Sequence, residues 1–204
     1  MRAIWTKQII VICKKLIKTT DIKYDLFDAF IHELKIHLRL DYYNDRIIRY
    51  LGVTFVKENF KQLTLDNKKK LALQIADGLN YLHNEDVLHR DLHSKNIVIH
   101  DGNAKITDFG ISKIQNNQQS TIHFGNIGVI AYMDPKRILD QSFPYTKSSD
   151  VYSFSILMWE ISSGYPPFKD CENIIALGIA INGGARETGI PDTPKEYEEL
   201  YKKC

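Results

Sequence analysis

Apolar residues in this chain repeat with strand-like spacing in the first third and with helical spacing through most of the remainder. Residues 8–13 form a short apolar run that ends at Lys14, and Tyr50-Leu51-Gly52-Val53-Thr54-Phe55-Val56 is a second strand-like segment. Between them, Tyr24 to Leu40 has helical spacing, with Phe27, Phe30, Ile31, Leu34 and Leu38 on one side. Farther on, Leu71, Ile75, Leu79 and Leu82 make one stripe of a helix that Asp66 is placed to cap. Ile97-Val98-Ile99 and Ala104-Lys105-Ile106-Thr107 read as two short strands around the turn His100-Asp101-Gly102-Asn103. The last long helix predicted, Asp150 to Ser162, is apolar nearly all round, which places it inside the molecule, with Ser148 or Ser149 as its cap. A small strand-rich part therefore precedes a larger helical one, without repeats or low-complexity tracts.

Bulk properties narrow the function classes. At 204 residues the chain holds one sizeable core or two small lobes. A hydrophobic fraction of 44% with 25% charged residues is that of a soluble globular protein. The net charge is +2, with Lys and Arg spread along the chain, so neither nucleic acid nor a membrane surface is expected as the main partner. Cys13, Cys171 and Cys204 are far apart and contain no CxxC, which argues for a reducing, cytoplasmic setting and against a disulfide framework or zinc site. The apolar run at 9–13 is too short to span a membrane and lacks a signal-cleavage pattern; Ile156 to Ile161 reads as a core helix.

The chemistry is concentrated in two runs. His89-Arg90-Asp91-Leu92-His93-Ser94-Lys95-Asn96 is followed by Asp108-Phe109-Gly110. The first reads H-R-D-L-x-x-x-N and the second D-F-G; together they resemble the catalytic loop and metal-binding turn of the protein kinase family. A hairpin between them would set Asn96 and Asp108 side by side. Phosphoryl transfer asks a protein mainly for positioning and charge neutralisation. The resemblance implies Asp91 as the base that takes or orients the substrate hydroxyl's proton. It also implies Asn96 and Asp108 as oxygen ligands for Mg²⁺, a hard cation that takes few protein ligands. Lys95 stands four residues after the base, where tyrosine kinases often carry Arg, and His93 stands where serine/threonine kinases usually carry Lys.

The resemblance extends over almost the whole chain. Val11-Ile12-Cys13-Lys14 is similar to the V-A-I-K strand, and Glu33, nineteen residues on, to the glutamate that pairs with its lysine. Lys14 with Glu33 is thus implied as the clamp on ATP's inner phosphates, and Val98 as a residue under the adenine. Gln115 to Thr121 resembles an activation loop, and Gly128 to Lys136 the segment ending in A-P-E. Ser149-Asp150-Val151-Tyr152-Ser153-Phe154 resembles the start of a buried helix whose Asp accepts hydrogen bonds from catalytic-loop backbone. Arg90 before the base implies control by an activation-loop phosphate, with Ser120 and Thr121 as the candidate hydroxyls.

The departures are segmental. No G-x-G-x-x-G occurs, Thr54 to Leu65 is too short for a fifth strand, hinge and following helix, Ile12 replaces a small Ala, and Lys136 replaces the glutamate of A-P-E. The chain stops at Cys204, before the family's last helices. With the loop residues intact, this is the pattern of a truncated or internally spliced kinase domain, or of an imperfect gene model, and it predicts weak MgATP binding. The expectation is an α+β, two-lobed protein-kinase-like fold with a reduced N-terminal strand lobe and a mainly helical C-terminal lobe. Residues 1–204 are one domain, 1–57 a partial strand lobe and 58–204 the helical lobe without its last helices. The expected activity, in the tyrosine-kinase-like group, is phosphoryl transfer from MgATP to a Ser/Thr or Tyr hydroxyl of a protein substrate. The alternatives are an inactive kinase-fold interaction module and, more distantly, a small-molecule phosphotransferase. Oligomeric state is not legible.

Overall fold

The computed structural model describes residues 36, 60, 63–100, 102–109, 112–114, 130–140 and 142–203. The strand segments predicted at 8–13 and 50–56, and the helix at 24–40 apart from Ile36, lie outside the described residues. So do Lys14, Glu33, Gly110 and the loop bearing Ser120 and Thr121. Ile36 is helical and buried in the main core.

Helix α1 spans Leu65–Asn84. Its N-cap is Thr64, whose hydroxyl accepts the Asn67 N–H at 3.3 Å; Asp66, the cap expected from sequence, instead lies in the first turn. There its charge still favours the helix's positive end. Leu71, Ile75, Leu79 and Leu82 all reach the main core, as their spacing predicts. Strand β1 (Val87–Leu88) pairs antiparallel with β4 (Lys113–Ile114) across the intervening segment. Strands β2 (Ile97–His100) and β3 (Asn103–Ile106) form the predicted hairpin, in the register Ile97↔Ile106 to His100↔Asn103. Its turn shortens to two residues, and Gly102, at φ 68°, supplies the left-handed backbone such a turn requires. Thr107 falls just outside the strand.

After the short helix α2 (Pro135–Leu139), helix α3 runs Lys147–Ser163, α4 Ile174–Asn182 and α5 Lys195–Lys202. Helix α3 starts three residues earlier than expected. Thr146 is its N-cap, and Ser149 occupies the third helical position, its hydroxyl accepting the Thr146 N–H at 3.3 Å. Gly164, at φ 74°, ends it. Helix α3 is apolar all round because it has core on two sides. Ile156, Leu157 and Ile161 join α1 and the hairpin in the main cluster. Met158 and Trp159 join Ala72, Tyr197 and Tyr201 in a second. Among the described residues no helix is long and apolar enough to cross a membrane.

Candidate active site

The loop leaving β1 carries a strained backbone. Arg90 has φ 72°, a left-handed conformation that costs a non-glycine residue about 1–3 kcal/mol unless its surroundings hold it. What holds it is Asp150 on α3, fully buried, with its carboxylate shared among four donors. Oδ1 accepts the Arg90 N–H at 2.9 Å and the Tyr145 hydroxyl at 2.7 Å. Oδ2 accepts the His89 N–H at 2.9 Å and faces His83 Nε2 at 3.0 Å. Burial works to raise the Asp150 pKa, but these donors and the neighbouring His89 outweigh it and hold the carboxyl below its ordinary value.

His89 is the inner pillar of the loop. Its Nδ1 accepts the Asp91 N–H at 3.2 Å, so its proton sits on Nε2 and is donated to the Thr107 carbonyl at 3.0 Å. Burial pushes its pKa down, which keeps this neutral tautomer. Its ring lies 5.3 Å from that of Phe109, itself fully buried in the core. The His89 carbonyl accepts the buried Ser112 hydroxyl at 2.9 Å. One imidazole thus ties the loop to both residues flanking Asp108.

Asp91 projects from this braced backbone and is half-buried. Asn96 Nδ2 donates to the Asp91 carbonyl at 2.7 Å and to Asp91 Oδ2 at 3.1 Å. His93 Nε2 stands 3.4 Å from Asp91 Oδ1, while His93 Nδ1 accepts the Lys95 N–H at 3.2 Å. Asn96 ends a 3₁₀ turn at 94–96, and its carbonyl accepts the Thr107 N–H at 3.0 Å. That bond extends the β2–β3 ladder by one pair, so Asn96 stands opposite Thr107, the residue before Asp108. Asp108 has φ 63° and is half-buried. With its nitrogen committed to Asp91, Asn96 has only its carbonyl oxygen left to offer. An amide oxygen beside a carboxylate is the donor set Mg²⁺ takes when phosphate and water complete its shell.

A second acid on α3 holds the far end of the loop. Glu160 accepts the Ser94 hydroxyl at 2.9 Å on Oε1 and the Tyr132 hydroxyl on Oε2. Ser153 donates to the Tyr132 carbonyl at 2.7 Å, and Ser149 to Asp134 Oδ2 at 2.7 Å. Helix α3 therefore fixes both the loop around Asp91 and the segment Tyr132–Asp134 that enters α2.

Residues 50–204 match the family described as protein tyrosine and serine/threonine kinase. The chain belongs to this kinase family. A probable serine/threonine-protein kinase of Dictyostelium discoideum is 36% identical over 138 residues, covering 67% of this chain and 14% of that protein. A mitogen-activated protein kinase kinase kinase of Drosophila melanogaster is 38% identical over 147 residues, covering 65% and 12%. A serine/threonine/tyrosine-protein kinase of Arabidopsis thaliana is 38% identical over 143 residues, covering 70% and 36%. The chain thus spans a minor part of the length of these relatives. Membership gives it the two-lobed α+β kinase fold, and the described residues are mainly helical.

Of the kinase residues nominated from sequence, Asp91 and Asn96 are joined by hydrogen bonds, and Asp108 follows Thr107, the residue that pairs with Asn96. Val98 is buried in β2 but is not part of the main cluster that Ile97 and Ile99 join, so it occupies the opposite face of the hairpin. Lys95 is exposed on the 3₁₀ turn. Lys14 and Glu33 lie outside the described residues. Sequence reading missed Glu160 as a support of the kinase loop, and saw His89 only as part of its motif; the signal for Glu160 was polarity at a position that pattern alone leaves ambiguous. It also missed that Arg90 and the buried Arg137 flank one ring, their guanidinium carbons 5.6 and 5.4 Å from the Tyr145 centroid. Burial, then the neighbouring Arg137, hold the Arg90 pKa below the usual arginine value.

Proposed function

We propose that this chain transfers a phosphoryl group from MgATP to a serine or threonine hydroxyl, or a tyrosine hydroxyl, of a protein substrate. It would act as a tyrosine-kinase-like domain in the cytoplasm. The observation that carries the reading is the bracing of Asp91. Its backbone is set by Asp150 and His89, and its carboxylate is held by Asn96, whose carbonyl pairs with Thr107, the residue before Asp108. Bound MgATP supplies the electrophilic phosphorus and the metal that neutralises its oxygens. The protein's part is to hold Asp91 where it accepts the attacking hydroxyl's proton, with Asn96 Nδ2 fixing one carboxylate oxygen and His93 beside the other. Asn96 and Asp108 would hold Mg²⁺. Lys14 with Glu33 would clamp the inner phosphates, Val98 would floor the adenine site, and exposed Lys95 would face the substrate.

Residues 1–57 and 58–204 are assigned to the two lobes of one domain. Arg90, already oriented by Tyr145, is the group to receive a phosphate on Ser120 or Thr121. The likeness to a probable serine/threonine-protein kinase of Dictyostelium discoideum favours the first substrate class.

The test is turnover of a Ser/Thr and a Tyr peptide pool with MgATP by the parent chain and by Asp91→Asn. A base and its positioning contribute about 10²–10⁴-fold, so Asp91→Asn should lose about a thousandfold in kcat with little change in nucleotide affinity. Turnover by Asp91→Asn near that of the parent would remove Asp91 from the role. A parent that binds nucleotide but never turns over would instead point to the inactive interaction module.

A further inference from the structure

Asn96 precedes β2 directly and Asp108 follows β3 by two residues, so the separation of these two side chains is set by the register and seating of one hairpin. A one-residue slip would turn Ile97, Ile99, Ala104 and Ile106 out of the core and shift Asn96 against Asp108. The hairpin is only four residues deep on each strand, and short two-stranded hairpins are marginal by themselves. Something outside it must seat it.

That contact comes from Gln74 in the middle of α1. Gln74 is only 4% exposed, and both ends of its amide are used. Oε1 accepts the Ala104 N–H at 2.7 Å, and Nε2 donates to Asn103 Oδ1 at 2.8 Å. The first bond is informative because of the ladder. Thr107 N–H bonds the Asn96 carbonyl, and bonded and non-bonded pairs alternate in an antiparallel ladder. Asn96–Thr107, Val98–Lys105 and His100–Asn103 are therefore the bonded pairs. Ile99–Ala104 is a non-bonded pair, and its Ala104 N–H points away from β2, out of the hairpin edge. Gln74 fills that donor, which strand pairing leaves open. A hairpin slipped by one residue would offer this glutamine a different backbone group.

We propose that Gln74 is a positioning residue for the metal-holding pair: by bonding Ala104 and Asn103 it fixes the hairpin register that sets Asn96 against Asp108. The inference rests on the kinase reading for the identity of the pair, but its evidence is the two hydrogen bonds. The same helix runs on into β1 and the loop bearing Asp91, so α1 sets base and metal ligands from one rigid body.

The test uses the full chain, with Mn²⁺ as the paramagnetic stand-in for Mg²⁺ and ADP as the nucleotide. Mn²⁺·ADP binding is read by electron paramagnetic resonance, metal-free ADP binding by calorimetry, and the Ala104 amide by hydrogen exchange. Gln74→Met keeps length and apolar volume but removes both bonds. It should weaken Mn²⁺·ADP binding about tenfold, the range seen when outer support of a metal ligand is removed. Metal-free ADP affinity should stay unchanged while Ala104 exchange speeds up. Asn103→Ala removes one bond and should lose less, and the double variant should match Gln74→Met, because both bonds run through one amide. Mn²⁺·ADP affinity within about twofold of the parent in Gln74→Met overturns the proposal. Should that variant fail to fold, Asn103→Ala, at a half-buried position, decides in the same way. A parent chain whose ADP binding ignores Mn²⁺ would instead remove the metal-holding pair itself, a failure of the kinase reading visible before any variant is made.

Discussion

Asp150 and Glu160 sit ten residues apart on one buried helix and grip one loop from its two ends, yet their electrostatics run in opposite directions. Asp150 is wholly buried and its pKa is held down. Glu160 is 7% exposed and burial pushes its pKa up. The difference lies in the donors. Asp150 faces two backbone N–H groups that cannot turn away or become acceptors, with His83 and Tyr145 added. Glu160 faces two hydroxyls, Ser94 and Tyr132, which can rotate and serve a protonated carboxyl as readily as an ionised one. Fixed donors make Asp150 a committed anion that dictates the loop's backbone. Adaptable donors make Glu160 a packing link between the loop and the segment entering α2.

The sharpest way to break this comparison is to remove the charge at each acid while keeping its shape. Asp150→Asn sets an amide NH₂ against fixed N–H donors and releases the strained Arg90 backbone. Breaking a buried charged cluster from one side costs about 3–5 kcal/mol, so urea unfolding should show a loss of that order, with phosphoryl transfer lost as well. An Asp150→Asn chain as stable as the parent would mean that the four bonds do not carry the loop.

The effect at the other end should be smaller and coupled. Tyr132→Phe deletes one donor to Glu160 and should cost about 1–2 kcal/mol, the usual range when a buried acceptor loses its partner. Glu160→Gln retains an oxygen for one hydroxyl and should cost about 1 kcal/mol. The double variant should cost less than the sum, since both act on one bond. Strict additivity in the unfolding free energies would show that Tyr132 is held by Ser153 and its packing rather than by Glu160.

What could be read from the sequence follows the same division. The stripe Leu71–Leu82 and the hairpin at 97–106 are periodic and local, so alternation and the Asp101-Gly102 turn were enough to place them. The pairing that puts Asn96 opposite Thr107, next to Asp108, followed from that hairpin alone. The role of Asp150 came through the family resemblance, and the bonds to His89 and Arg90 bear it out. Glu160, Ser149 and Ser153 were hidden because polarity in a mostly apolar helix does not say which polar side chains are buried. Only the path of the rest of the chain, set by contacts 15 to 66 residues apart in sequence, supplies their partners. The caps at Thr64 and Thr146 were each misplaced by two or three residues because several Ser, Thr and Asp side chains compete near each helix start. The winning hydroxyl is the one whose backbone is still extended.

The smallest expected effect is the most specific to the two acids. His89 has a lowered pKa, so the folded state resists a proton that the unfolded chain takes up near pH 6.5. Its contribution to stability is therefore lost as pH falls below that value. Glu160 has a raised pKa, so the folded state takes up a proton more readily than the unfolded chain, whose glutamates titrate near pH 4.3. Its contribution improves as pH falls through the same range. Asp150, with its pKa lowered, adds its own acid loss only below the unfolded aspartate value near 3.9. Between about pH 6.5 and 4.5, then, His89 and Glu160 act with opposite sign. Thermal midpoints of the parent and of Glu160→Gln, measured at intervals across that window, share every surface carboxylate, and their difference isolates Glu160. The variant should lose midpoint more steeply on acidification, so that the gap between the two curves widens as the pH falls. Parallel curves would show that the folded and unfolded states bind the Glu160 proton equally, and that the two ends of the helix do not differ electrostatically as their donors imply.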